Sequence, residues 1–101
     1  MDDFITPVIF RKFTDLGEII ALFPTLPGDN TMATCLSYAH VGQHGSCHVD
    51  VVDGKTTVLA TPEEYKDLYD ELTSIGYNLK IYKRMTSKQW RERLRNLHLE
   101  V

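Results

Sequence analysis

Five side chains able to bind metal or act as nucleophiles crowd into fourteen residues: Cys35, His40, His44, Cys47 and His48, within CLSYAHVGQHGSCH. Their spacings are five, four, three and one, with Gly42 and Gly45 interleaved. Two thiolates with two imidazoles are an ordinary tetrahedral set for zinc, so these five are the candidate metal ligands and zinc the candidate cofactor. A strand end carrying Cys35 and His40, followed by a glycine-bearing loop with His44 and Cys47, could wrap one ion. Two features oppose this. Residues five apart fall on opposite faces of a regular strand, and the spacing matches no standard zinc finger. The structural alternative is a buried Cys35, loop histidines bonded to backbone and an exposed Cys47.

The same residues suit a thiolate–imidazole pair, with Asp50 placed to orient His44 or His48. No GxSxG, HExxH or phosphate-cradling glycine loop accompanies them, so no catalytic residue is assigned.

The elements around this stretch follow from periodicity and turn chemistry. Residues 7–13 (PVIFRKF) are rich in β-branched and aromatic side chains and read as a strand. Asp15-Leu16-Gly17 turns the chain, and Glu18–Phe23 returns as a nearly all-apolar central strand. Residues 24–30 (PTLPGDN) read as a loop. Met32–His40 is a third strand, with Met32, Thr34, Leu36, Tyr38 and His40 on one face and the small Ala33, Cys35, Ser37 and Ala39 on the other. Val41–Cys47 reads as a loop. His48–Val52, Asp53-Gly54 and Lys55–Ala60 then form a second hairpin on a type I′ turn.

Thr61-Pro62-Glu63-Glu64 is a capping box with proline at the first helical position, and Tyr65, Leu68, Tyr69, Leu72 and Ile75 follow at helical spacing up to Gly76. Asn78–Met85 alternates as a half-exposed strand. Thr86-Ser87-Lys88-Gln89 opens a second helix, with Trp90, Leu94 and Leu97 on one face. The expected fold is α+β: one domain, residues 1–101, in which two helices pack on a mostly antiparallel sheet of about 5–6 strands, in the order βββ-ββ-α-β-α.

Charge is segregated along the chain. Residues 1–77 carry four Lys/Arg against twelve Asp/Glu, whereas residues 78–101 carry seven Lys/Arg against two Glu. On the first helix Glu63, Asp67, Asp70 and Glu71 lie opposite the apolar stripe, a solvated face or an acidic stripe imitating nucleic acid toward a basic partner. On the second, Lys88, Arg91, Arg93 and Arg95 follow Lys80, Lys83 and Arg84 in a basic end that could hold phosphates. Aromatic interleaving there is limited to Tyr82 and Trp90. Length (101 residues), 43% hydrophobic and 25% charged content define a globular chain with one modest core. No apolar run is long enough to span a bilayer, and the acidic MDDFITP start does not read as a signal peptide, so the expected location is the cytoplasm.

VIFRKF, GEIIALFPTLPGD, CLSYAHVGQHG and ATPEEYKDLYDELTSIGYNLKIYKR, spanning residues 7–84, resemble a family of small bacterial proteins frequent in phages, plasmids and integrated elements. HVGQHG is the most specific part. The resemblance brings no activity or functional residue with it. After HVGQHG, where the family is expected to vary, this chain has SCHVDVVDGKTTV, so Cys47 and His48 are peculiar to it on that comparison. Residence on such elements implies a class: small acidic proteins that block host defence, anti-CRISPR inhibitors among them. The expected function is therefore non-enzymatic binding by protein–protein contact. The runner-up is a zinc-stabilised domain, followed by a Cys/His enzyme; nucleic acid is a further expected partner at the basic end.

Overall fold

Two adjacent strands hold the centre of the sheet because their side chains are apolar on both faces. They are β1 (Thr6–Phe13) and β2 (Ile19–Pro27), in a computed structural model that describes residues 5–29, 33–39, 43–48, 51 and 56–98. The hairpin between them closes with Phe13 N–H donating to Glu18 O and Gly17 N–H to Phe13 O, both at 2.9 Å. Gly17 sits at φ +77°, a left-handed conformation that a side chain would oppose.

Outward from β2 come β3 (Thr34–Ala39) and β4 (Gln43–His48), each antiparallel to its neighbour. The far side of β1 is shared by two short strands. β6 (Leu79–Ile81) runs parallel to Thr6–Val8, and β5 (Thr57–Leu59) antiparallel to Arg11–Phe13. The sheet order is thus β4-β3-β2-β1-β5, with β6 also on β1. With α1 (Pro62–Ser74) and α2 (Ser87–His98), the described elements run βββββ-α-β-α, an α+β fold.

Each face of the sheet has its own helix. Leu68 and Leu72 of α1 join Val8, Phe10, Ala21, Phe23 and Tyr38 in one core cluster. There Tyr65 stacks on Phe10 at 4.4 Å and Tyr77 on Phe23 at 5.1 Å. Such pairs add about 0.5–1.5 kcal/mol each beyond the apolar area they bury. The opposite cluster is Ile9, Ile20, Leu22 and Cys35, packed by Phe13, Cys47, Tyr82 and Met85. On that side α2 lies along β2.

Both capping boxes form. Thr61 Oγ1 accepts from Glu64 N–H while Glu64 Oε1 accepts from Thr61 N–H. Thr86 and Gln89 exchange the same pair of bonds at 2.9 and 3.1 Å. Gly76, at φ +116°, follows the C-cap residue Ile75.

Four expectations are corrected. Residues 24–27 are not loop: β2 runs through both prolines, with an irregularity in its pairing to β3 between Phe23 and Pro27. Carbonyls in this irregular stretch are met from α2, where Arg93 Nη1 donates to Pro24 O (3.3 Å) and Asn96 Nδ2 to Thr25 O (2.7 Å). Gln43–Cys47 belongs to strand β4, whose cross-strand bonds to β3 outweigh its glycine content. The second hairpin is not found among the described residues, where Val51 is helical and β5 pairs with β1 instead of with His48–Val52. The strand expected over residues 78–85 contracts to Leu79–Ile81, with contact to β1 bounded by Thr6 N–H donating to Asn78 O and Tyr82 N–H to Val8 O, both at 2.8 Å. Met32, His40–Gly42, Asp50 and the Asp53-Gly54 turn lie outside the described residues.

Candidate functional site

The β3–β4 register decides what the Cys/His segment can do. Cys35 is the partner of Cys47, Thr34 of His48 and Tyr38 of His44. Alternate residues of a strand face opposite ways, so the two cysteines share one face and His44 and His48 the other. Cys35 is fully buried and Cys47 half-buried against the same core cluster. Burial and the neighbouring Cys47 push the Cys35 thiol up to about 11, and burial also raises Cys47. Across the sheet His44 is exposed, with Nε2 2.8 Å from Tyr77 Oη and its ring edge-on to Tyr38 at 4.8 Å.

A tetrahedral zinc ion needs its thiolate and imidazole donors to converge within about 2.0–2.3 Å of one point. Here the sheet separates the thiols from the imidazoles. Among the described residues no three His, Cys, Asp or Glu side chains gather as ligands. Cys35, Cys47, His44 and His48 therefore do not fit a common zinc ion in this register, and His40 lies outside the described residues.

Contacts between distant positions build a cluster that spacing along the chain does not reveal. Tyr38 donates its hydroxyl to Glu71 of α1, and His44 meets Tyr77 just past that helix. The bond to Glu71, followed by burial, raises the Tyr38 hydroxyl above its usual range, and burial does the same for Tyr77. The sequence signal here is strand alternation, which sets Tyr38 on the face opposite Cys35 and Ser37 without saying which helix covers it.

The acidic face of α1 is divided by these contacts. Glu63, Asp67 and Asp70 are exposed, and Asp70 accepts from Lys66 one turn earlier at 2.8 Å. Glu71 instead leans onto the sheet through Tyr38. Glu64 caps the helix and pairs with Lys12, whose bond holds its carboxyl below the usual range. Between α1 and the β1–β2 hairpin lies a groove of about 410 Å³. Phe13, Ile19, Ile20, Ala39 and Leu68 form its apolar lining; Glu18, Glu64 and Asp67 supply carboxylates. Sequence reasoning missed Glu18 as a groove residue because the hairpin brings it to α1 from far along the chain.

The basic end is also divided. Lys88, Arg91 and Arg95 recur at helical spacing and are exposed, forming a ridge on the outer side of α2. Arg93 is the correction: it is 1% exposed, faces the sheet, and packs over Trp90 at 4.3 Å with Nη1 3.2 Å from Met85 Sδ. Its role is to hold α2 on β2 rather than to present charge.

Comparison with protein-family models, curated proteins and solved structures yields no match. Among the described residues no helix is long and apolar enough to cross a membrane.

Proposed function

We propose that this chain is a non-enzymatic binding protein that acts by protein–protein contact, taking a basic, partly apolar segment of its partner along α1. The observation carrying this reading is the groove beside α1. Its apolar walls would bury aliphatic or aromatic side chains, while Glu18 and Asp67 would face cations, Glu64 being already paired with Lys12. Glu63 extends the negative surface along the exposed side of the helix, where Asp70 is paired with Lys66. On a phage or other mobile element, the setting implied by the sequence resemblance, such a protein would serve as an inhibitor of host defence, with anti-CRISPR activity one form. A second reading, phosphate-mediated contact with nucleic acid, is favoured by the ridge of Lys88, Arg91 and Arg95.

The test compares wild type, Glu18→Lys/Asp67→Lys and Lys88→Glu/Arg91→Glu/Arg95→Glu as bait in a bacterial lysate, with and without nuclease. The expected result is a basic protein retained by wild type, lost with the first variant and kept with the second, independently of nuclease. Loss only with the second variant or after nuclease selects the nucleic-acid reading. Retention unchanged by either variant overturns both surfaces.

A further inference from the structure

We infer that Cys35 and Cys47 are a redox modification site, closing a reversible cross-strand disulfide that staples edge strand β4 to β3. This rests on the β3–β4 register and is independent of the binding role proposed for α1. Both cysteines are free thiols in the structure. They are direct partners in an antiparallel pair, which sets their Cα atoms about 4.5–5.5 Å apart. Disulfides span Cα separations of about 4.4–6.8 Å, so bond formation needs side-chain rotation without a change of register. Their common packing in the cluster of Ile9, Ile20 and Leu22 puts both side chains on one face.

The different exposures set the order of events. Cys47 is half-buried at the edge strand, whereas Cys35 is fully covered. With a low-molecular-weight disulfide of the glutathione type as oxidant, Cys47 loses its proton to solvent and its sulfur attacks one sulfur of the oxidant. That S–S bond breaks and one thiolate leaves, producing a mixed disulfide on Cys47. Cys35 then loses its proton, attacks Cys47 Sγ and expels the second thiolate. Two protein thiols are oxidised by two electrons, and one oxidant disulfide is reduced to two thiols. Arg93 interacts electrostatically with Cys35 and favours its thiolate during the second step.

The edge position gives the bond a consequence. Among the described residues β4 pairs only with β3, so its opening is governed by that one ladder. The bond would hold β4 in place together with the His44 side of the sheet.

The experiment treats native wild-type protein, Cys47→Ser and Cys35→Ser with oxidised glutathione, followed by intact mass, peptide mapping and amide hydrogen exchange. Wild type is expected to remain monomeric, lose about 2 Da and yield a Cys35–Cys47 linked peptide, as a two-thiol oxidation requires. Exchange over residues 43–48 is expected to slow by about tenfold or more and to recover with dithiothreitol. Cys47→Ser should give no intramolecular product, and Cys35→Ser should stop at the mixed disulfide. Persistence of a glutathione adduct on wild-type Cys47, or an intermolecular dimer as the main product, overturns the proposal. Because the decisive readout is on wild type, misfolding of a variant does not affect it.

Discussion

Cys35 is a buried thiol whose ionisation the fold resists, and this makes stability depend on alkaline pH. Its pKa rises from 9.0 to about 11, chiefly because burial penalises the thiolate. Above pH 9 the unfolded chain releases this proton while the folded chain retains it. Stability from this group is therefore complete below pH 9 and declines as pH rises toward 11, by on the order of 2–3 kcal/mol. Tyr38 and Tyr77 are shifted in the same direction from 10.0, so their contribution begins later. Urea midpoints of wild type and Cys35→Ala at pH 7, 9 and 10 isolate the cysteine. Wild type should lose more between pH 9 and 10; parallel curves would refute the assignment. Neighbouring Gly28 shows a different constraint, since a Cβ there would lie 2.6 Å from Cys35 O and 2.7 Å from Ser46 Oγ. No other residue type fits that approach without moving β3.

At the scale of elements, each helix is seated by signals of different visibility. The capping boxes are local, and Thr61→Ala should lower stability by about 0.5–2 kcal/mol because Glu64 N–H loses its side-chain acceptor and keeps only Thr61 O. The seat of α2 on β2 is non-local. Asn96 donates to Thr25 O at 2.7 Å, and Thr25 is buried. Asn96→Ala leaves that carbonyl without this donor, with an expected loss of about 1–3 kcal/mol. Denaturant melts check both; a neutral Asn96→Ala would mean that this bond contributes nothing to docking. The contrast explains why both helix starts were legible and Arg93 was not. A capping box spans four consecutive residues, whereas Arg93 takes its meaning from Pro24, 69 positions away.

For the whole molecule, the sheet acts as a partition. It places the Cys35–Cys47 pair on the α2 side and the Tyr38–His44–Tyr77 group on the α1 side. Chelation by EDTA is accordingly expected to leave the melting temperature within about 1 °C, with zinc well below one per chain by elemental mass spectrometry. One zinc per chain and a large melting shift would show that residues 35–48 leave this register. The α+β class, the helix starts and the first hairpin were readable from the chain because their causes are local: side-chain period, capping residues and a left-handed glycine. Residue chemistry alone also marked 35–48 as unusual and exposed the segregation of charge. Only the tertiary structure could make residues 43–47 a strand, split thiols from imidazoles and turn Arg93 inward. Those outcomes depend on cross-strand register and helix docking, in which hydrogen bonds and burial between remote residues override local preference.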